Sequence, residues 1–526
     1  MKSFYINRTV ITMEDDALYA EAVCAENGKI LAVGDQDEIM KLYEEQDEII
    51  DLHGGAMLPG FIDGHSHFVG VANAMRQCDL SSCESFQDII DTMKDFKDQK
   101  DLPEGAWLTG CNYDHNFLKE GRHPNREALD QISTENPVLL IHASSHMGVT
   151  NSKGLQLQGI DEHTEDTSDG RYGRMEGTQI PDGYMEEKAF LSFQSGIPAG
   201  SPQELMNLIV EAQKIYSSYG ITTVQDGMVG KPLFQLLKAA SDMGLLHLDV
   251  VGYLDITTAS ELIEEENDYT GKYHNHLKMG GYKIFLDGSP QGKTAWLTEP
   301  YQGEQEYCGY PIYTDEQAEE LVEEAVQDNR QLLAHCNGDA AAEQYLNACC
   351  KVGDTAKIRP VMIHAQLLRP DQLPKVKRAG MIPSYFVAHT WFWGDIHLKN
   401  LGEKRAKKIS PLRSTADMGI VYTLHQDTPV IPPDMMRTIW CAVNRKSKQG
   451  CSMGQEERIS VQQALKGVTI NAAYQYFEEG EKGSIKKGKA ADFVLLSENP
   501  LTVSSDRICE VRVLATFYRG EKVYSC

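Results

Sequence analysis

Two histidines separated by a single residue follow an apolar run near the start of the chain. His65 and His67 occur in the segment Phe61-Ile-Asp-Gly-His-Ser-His-Phe68. Side chains two positions apart on a strand point to the same face, so the two imidazoles are expected to lie side by side. Such a pair can bind one metal ion at ~2.0–2.1 Å per nitrogen. A second pair of this spacing, His274 and His276, lies in a polar loop and is interpreted as solvent-exposed.

Further polar residues that can bind metal occur at or near the ends of other apolar runs: Lys283, His335, His364 and Asp427. A lysine within an apolar run is costly to bury as an ammonium, so it must be paired, neutralised or modified. An ion pair with Asp287 is the structural alternative. For the two histidines the alternative is a hydrogen-bonded core or capping role, and for the aspartate it is a helix N-cap.

The elements that must position these residues alternate between short apolar runs and helical stretches. Eight runs predict strands: Ala56–Phe61, Ile221–Gln225, Leu248–Leu254, Tyr282–Leu286, Gln331–Ala334, Pro360–Ile363, Met381–Val387 and Ile420–Leu424. Clear helical periodicity occupies Glu316–Asp328, Ala340–Cys350 and Val461–Tyr476. This order predicts an α/β fold of the (β/α)8 TIM barrel type, in which strand carboxyl ends meet in one ring. An open doubly wound sheet is the alternative, but no glycine-rich phosphate loop follows the first run.

Both ends of the chain are rich in short β elements, which predict a small β-sandwich domain built from both termini. The predicted sandwich comprises residues 1–57 and 479–526, and the predicted barrel comprises residues 58–478. About 150 residues separate the first two barrel runs, which predicts an insertion at about residues 75–200 after the first barrel strand.

The composition excludes several classes of protein. The 526 residues include 50 basic and 77 acidic side chains, a net charge of −27 that disfavours binding to nucleic acids and anionic membranes. The twelve cysteines form no CxxC pair, which is typical of a reducing compartment. No signal peptide and no apolar run of ~18 residues is found. A soluble cytoplasmic protein is therefore expected.

Several longer motifs carry a family resemblance: Leu58–His67, Gly220–Val224, Lys283–Ser289, His335 with Gly338-Asp339, His364–Gln366 and Gly483–Asp492. In the predicted insertion, Trp107 and Val149–Ser152 add to it. Together they resemble the amidohydrolase superfamily of metal-dependent hydrolases, in particular its N-substituted formamide deformylase-like branch. The resemblance extends over nearly the whole chain.

The resemblance implies a metal centre of one or two divalent ions. In it, His65, His67 and Asp427 bind the more buried ion, His335 and His364 bind the second, and Lys283, carbamylated, bridges them. Zinc is favoured by the nitrogen and oxygen ligands, with manganese, iron and nickel as alternatives. The chain departs from the usual family pattern at Ile363, Asn337 and Gln426, the last of which follows His425.

These ligands suggest a mechanism in which metal-activated hydroxide attacks a carbonyl carbon. Asp427 accepts the proton of the water as general base and then delivers it to the leaving amine as general acid. Either the second metal or His146 of the insertion polarises the carbonyl oxygen; a structural turn is the alternative role for the segment around His146. Five residues are predicted to line the substrate pocket: Tyr113, Asp114, Trp296, Trp391 and Trp393.

The predicted function is hydrolysis of a non-peptide C–N bond, of the amide or N-formyl type, in a small-molecule substrate. A metal-dependent deaminase and a lactonase or esterase on the same barrel are the alternatives. A non-catalytic scaffold is the least favoured, because all six ligands are present. The sequence leaves open whether the protein forms a homodimer.

Overall fold

The computed structural model describes residues 1–52, 54–115, 117–142, 147–167, 170–197 and 202–526. The chain divides into two compact units. Unit 1 contains Met1–Val71 and Ile209–Cys526, and unit 2 contains Ala72–Leu208. Within the described ranges, every helix is too short or too polar to cross a bilayer.

Unit 1 contains an eight-stranded parallel sheet in which each strand pairs with the next along the chain. Its strands are β1 (Phe61–Ile62), β2 (Ile221–Val229), β3 (Asp249–Asp255), β4 (Leu277–Phe285), β5 (Gln331–Cys336), β6 (Val361–His364), β7 (Ile382–Tyr385) and β8 (Thr423–Leu424). The segments that follow β1 and β8 are directly hydrogen bonded, since His67 N donates to Thr428 O at 2.8 Å. The sheet therefore curls into the predicted (β/α)8 barrel.

The run predicted as the first barrel strand, Ala56–Phe61, belongs to two sheets. Ala56–Pro59 pairs with Phe493–Leu496 in a terminal sheet, and only Phe61–Ile62 enters the barrel. The chain passes between the sheets at Gly60, where a Cβ atom would lie 2.6 Å from the side chain of Thr222. Both parts are fully buried, so their hydrophobicity alone does not reveal the change of sheet.

Two further sheets of unit 1 are built from the ends of the chain, the first from N-terminal strands and the second from strands of both ends. One has the strand order Lys29–Gly34, Ala22–Glu26, Lys2–Ile6 and Glu48–Asp51. The other has the order Glu521–Ser525, Val513–Tyr518, Phe493–Leu496, Ala56–Pro59, Thr9–Ile11 and Tyr19–Ala20. Buried side chains of both sheets share one apolar core, which includes Tyr5, Phe493 and Phe517. This arrangement is the predicted sandwich.

Unit 2 contains a six-stranded mixed sheet. Its strand order is Gly170–Arg174, Pro181–Glu186, Met147–Thr150, Val138–His142, Leu108–Tyr113 and Gln77–Asp79. The helix Phe86–Gln99 begins at Ser85, whose side chain accepts a hydrogen bond from the Asp88 amide. Its residues Ile89, Ile90 and Met93 lie in the unit's core.

The α-helices of the described chain are Gln36–Ile39, Phe68–Ala74, Phe86–Gln99, Arg126–Asp130, Ser152–Leu157, Glu187–Ser195, Pro202–Ser218, Lys231–Asp242, Ile256–Ala259, Leu262–Glu265, Asp315–Gln327, Asp339–Val352, Leu373–Ala379, His389–Phe392, Gly394–Leu401, Glu403–Ala406, Leu412–Asp417, Met435–Asn444, Val461–Gly467 and Ile470–Gln475. The stretch Val461–Tyr476, predicted as one helix, is broken because Thr469 adopts a non-helical conformation (φ −134°, ψ −101°).

Candidate metal centre

Three of the predicted ligands converge at the end of the barrel where β1 and β8 finish. Asp427 Oδ1 lies 3.5 Å from His65 Nε2 and 3.2 Å from His67 Nε2. Metal–ligand bonds of ~2.0–2.1 Å at a tetrahedral angle place neighbouring donor atoms ~3.3–3.4 Å apart. The spacing therefore matches that of three atoms that share one ion.

The carboxylate of Asp427 fits a cation better than it fits its protein neighbours. Its Oδ1 atom is buried and accepts no well-aligned hydrogen bond from the described residues, although two imidazoles are close. Burial alone would raise the pKa of Asp427, but the imidazoles of His67, His364 and His65 outweigh it and hold that pKa well below its usual range. Asp427 is therefore an ionised carboxylate, a group of the kind that suits a divalent metal.

His335 and His364 form a second pair at the ends of β5 and β6. His335 Nδ1 lies 3.1 Å from His364 Nε2. The outer nitrogens are engaged elsewhere, since His335 Nε2–H donates to Gly288 O and His364 Nδ1 lies within hydrogen-bond distance of His425 Nε2, each at 3.1 Å. In the tautomer with the proton on His364 Nδ1, both inner nitrogens present lone pairs to each other, an arrangement that a cation between them would satisfy.

Lys283 on β4 is fully buried beside the histidines. Its Nζ lies 3.3 Å from His65 Nε2. Burial lowers its pKa to about 7, so the neutral amine is readily formed. Asp287, the ion-pair partner considered from sequence, instead accepts three backbone N–H bonds, from Trp296, Asn337 and Gly338. The amine, rather than a structural ion pair, faces the predicted ligands.

The orientation of His65 is set by Gln225 on β2. His65 Nδ1–H donates to Gln225 Oε1 at 2.5 Å, which leaves Nε2 as the inward-facing nitrogen. The amide of Gln225 cannot rotate freely, because its Nε2 donates to Gly64 O at 3.0 Å and to the Tyr476 hydroxyl at 2.9 Å. Sequence reasoning missed this residue, and its signal was a glutamine at the end of a buried apolar run.

The orientation of His364 is set by His425, which sequence reasoning noted only as a neighbour of Gln426. His425 is fully buried, and its Nδ1 lies 2.8 Å from Ser384 Oγ. Its other nitrogen lies 3.1 Å from His364 Nδ1, so a serine and two histidines form one chain of hydrogen bonds that ends at the centre. Burial lowers the pKa of His425 to about 3, which keeps it neutral and able to accept.

Two of the predicted ligands have strained backbone conformations. His364 has φ +71° and Asp427 has φ +57°, both in the left-handed region that non-glycine residues rarely adopt. Such strain is concentrated at functional sites, where the surrounding structure enforces it. His364 ends β6 and Asp427 lies three residues beyond the end of β8, and in each case the turn directs the side chain towards the centre.

The three positions that depart from the family pattern have local roles. Gln426 Nε2 donates to Thr438 Oγ1 at 2.9 Å. Asn337 Nδ2 donates to Gly288 O at 2.9 Å, beside the bond from His335. Ile363 packs in an apolar cluster of the barrel. None of them displaces a predicted ligand.

The tryptophans predicted to line the pocket have different neighbours. Trp393 packs against Phe386 with ring centroids 5.8 Å apart, and Phe386 lies 6.0 Å from the ring of His364. Trp391 instead packs edge-on against Trp440 at 5.1 Å. The backbone amide of Trp296 donates to Asp287, which places this residue in the loop after β4. Substrate contact by these residues stays a prediction.

The remaining predicted site residues belong to unit 2. Tyr113 is fully buried in the core of that unit, with its hydroxyl 3.0 Å from His123 Nδ1. Asp114 follows it and lies 3.5 Å from His142 Nε2. His146 lies outside the described residues, so its predicted role stays untested.

Comparisons with known proteins extend over almost the whole chain. YtcJ of Bacillus subtilis (strain 168) is 28% identical over 537 residues, which cover 100% of this chain and 99% of that protein. N-substituted formamide deformylase of Arthrobacter pascens is 26% identical, with 98% of this chain and 97% of that protein covered. The crystal structure of an uncharacterized metal-dependent hydrolase from Pyrococcus furiosus is 26% identical with a TM-score of 0.77, and the match covers 95% of this chain and 100% of that one.

These similarities agree with the resemblance found in the motifs, which is confirmed. The model of the amidohydrolase family matches residues 48–524, from the sheets built by both termini through the entire barrel. The chain therefore belongs to the amidohydrolase family.

Proposed function

We propose that the protein is a metal-dependent hydrolase that cleaves a non-peptide C–N bond of the amide or N-formyl type. The observation that carries this proposal is the position of the Asp427 carboxylate. Its buried, unsatisfied oxygen faces His65 and His67, and its second oxygen lies 4.0 Å from His364 Nε2. One ionised group thus adjoins both predicted metal-binding pairs.

The donor set fits one or two divalent ions, and zinc suits it best. His65, His67 and Asp427 would hold one ion, and His335 and His364 would hold the other. Lys283 would bridge them as a carbamate, because its buried amine has a lowered pKa and is therefore available to react with carbon dioxide. When bound, such ions lower the pKa of a coordinated water from 15.7 towards ~7.

Asp427 is the group that moves the proton in this proposal. A carboxylate whose pKa is held low by adjacent imidazoles is ionised at neutral pH, and it can accept a proton from water. It then returns that proton to the nitrogen that leaves as the amine. Gln225 and His425 keep the flanking imidazoles in one tautomer while the proton is transferred.

The substrate class rests on two lines of support. The Arthrobacter relative is named for N-substituted formamides, and it matches this chain over nearly its full length. The half-buried ring of Trp393 packs against Phe386, which adjoins His364, so an apolar N-substituent is favoured. The role of His146 stays a prediction from sequence, and Trp296 and Trp391 would be further substrate contacts.

The test is turnover of a panel of N-formyl and N-acyl amines by the zinc-loaded protein. Formate or carboxylate and the free amine are the expected products, and Asp427→Asn should abolish their release. Asp434→Asn is the matched control, because Asp434 caps a helix by accepting from the Arg437 amide and asparagine caps equally well. Ammonia release from amino-substituted rings, or lactone turnover without amide turnover, would overturn the proposed bond type.

A further inference from the structure

Unit 2 contains a group of metal-competent side chains that the proposed barrel chemistry does not use. Asp114 and His115 directly follow the strand Leu108–Tyr113, and His142 ends the neighbouring strand Val138–His142. The two strands are parallel, and Tyr113 is in register with His142. The carboxyl ends of adjacent parallel strands lie side by side, so residues at and just beyond them are brought together.

The donor atoms of these residues form a compact triangle. His115 Nδ1 lies 3.2 Å from His142 Nε2, and Asp114 Oδ1 lies 3.7 Å from the first nitrogen and 3.5 Å from the second. Metal–ligand bonds of ~2.0–2.1 Å at a tetrahedral angle would place such atoms ~3.3–3.4 Å apart. All three edges lie within a few tenths of an ångström of that spacing.

Hydrogen bonds can join His142 to His115 and to Asp114, but the three residues crowd more polar neighbours onto His115 Nδ1 than one ring nitrogen can bond. A neutral imidazole nitrogen either donates one proton or accepts through one lone pair, so it satisfies one well-aligned partner. His115 Nδ1 nevertheless has both an imidazole nitrogen and a carboxylate oxygen as neighbours. A single cation at the centre of the triangle would satisfy all three donor atoms at once.

The surrounding side chains hold two of the rings in place. The ring of His123 packs on that of His115 with centroids 4.0 Å apart, and its Nδ1 lies 3.0 Å from the Tyr113 hydroxyl. Tyr113 also meets the ring of His142 edge-on at 5.3 Å.

We propose that unit 2 binds a divalent metal ion of the zinc type through Asp114, His115 and His142. This site shares no ligand with the barrel centre and does not depend on the proposed hydrolysis. Three protein ligands leave a fourth tetrahedral position for water or an oxygen atom of a ligand, as in zinc sites that are not purely structural. Asp114, predicted from sequence to contact substrate, would instead bind the ion.

The experiment counts zinc in the full-length chain after chelation and dialysis against zinc alone. The double variant His65→Asn/His67→Asn, called the barrel variant, weakens the barrel centre. The double variant His115→Asn/His142→Asn removes the unit 2 site. The second pair of changes should remove one equivalent of zinc both from the wild-type chain and from the barrel variant. The decisive result is loss of zinc when the two unit 2 changes are added to the barrel variant, because that difference reports unit 2 alone.

Asp114→Asn, made in the barrel variant, tests the unit 2 site with less risk of misfolding. It keeps the shape of the side chain and removes only the charge. Zinc should raise the unfolding temperature of the barrel variant and should no longer do so after Asp114→Asn. His163→Asn is the matched control, because His163 is an exposed histidine of the same unit, and it should change neither readout.

Unchanged zinc content after His115→Asn/His142→Asn would overturn the unit 2 site. Failure of the barrel proposal has a different signature: His65→Asn/His67→Asn would then leave zinc content unchanged, while the changes in unit 2 would still lower it.

Discussion

His364 Nδ1 lies 3.1 Å from Nε2 of His425, a fully buried histidine two residues before Asp427. Replacing His425 by glutamine is expected to weaken zinc binding at the barrel centre by about 10- to 100-fold, because His364 loses the acceptor that orients its ring. Titration of the metal-free protein with zinc measures the change.

His397→Gln is the control for that variant. His397 is equally buried and also pairs with a histidine, His389, at 3.0 Å, but it contacts none of the predicted ligands. Equal weakening by both variants would show that the effect comes from disruption of the core and not from the orientation of His364.

Zinc loading is expected to depend on carbon dioxide through Lys283. Metal-free protein dialysed in carbonate-free buffer should bind less zinc than the same protein supplied with bicarbonate, because only the carbamate form of the buried amine can bridge two ions. Lys283→Met should bind the lower amount in both buffers. A bicarbonate effect that persists in Lys283→Met would refute the assignment of the carbamate to this residue.

Gly227 leaves space for the ring of His65. A Cβ atom at this position would lie 2.9 Å from His65 Cε1, so Gly227→Ala is expected to displace the imidazole and weaken zinc binding by about 10-fold or more. Gly230→Ala is the matched control, because the nearest atom to its Cβ would be Pro232 Cδ at 4.0 Å. Calorimetric titration with zinc should separate the two variants, and indistinguishable affinities would contradict the packing argument.

The acid stability of the protein is expected to depend on Asp249. Burial alone would raise the pKa of this carboxyl, but Lys482, His276 and Tyr518 outweigh it and hold the pKa well below its usual value. Lys482 Nζ and the Tyr518 hydroxyl donate to its two oxygens at 2.5 and 2.6 Å. Asp249→Asn should therefore destabilise the fold at pH 7 by about 3 kcal/mol, because the buried Lys482 ammonium loses one of its two carboxylate partners and keeps only Glu478.

The sign of the pH dependence follows from the direction of that shift. A lowered folded-state pKa stabilises the protein above the unfolded pKa of ~3.9, and the contribution is lost as the pH falls below that value. Thermal unfolding should thus show a large difference between wild type and Asp249→Asn at pH 7 that shrinks below about pH 4. Asp268→Asn, which breaks an exposed ion pair with Lys272, should show almost no difference at either pH. A constant difference would contradict the assignment.

The sequence predicts the barrel and the positions of its polar strand ends well, because both depend on local patterns. Alternating apolar runs and helices indicate the fold. Histidines at strand ends are recognisable as polar residues at the ends of apolar runs. Gln225 and His425 are harder to recognise, since their roles arise from partners that are distant in sequence. The orientation of a histidine ring depends on these tertiary hydrogen bonds, and a local sequence pattern does not reveal them.

The insertion illustrates the same limit. The strand Val138–His142 is a local apolar run, but the meeting of its last residue with Asp114 and His115 depends on which strands pair in parallel. Strand order is a non-local property. The break of the last predicted helix at Thr469 is likewise visible only once its neighbours are packed.

The passage of the chain from one sheet to another at Gly60 has a kinetic consequence. Pro59 pairs with Phe493, so the strand immediately before the barrel obtains a partner that is separated from it by the entire barrel sequence. Closing so long a loop carries a large entropic cost before any contact repays it, and such topologies fold slowly. The strand Ala56–Pro59 therefore gains this partner late, because all eight barrel strands are synthesised before residues 493–496.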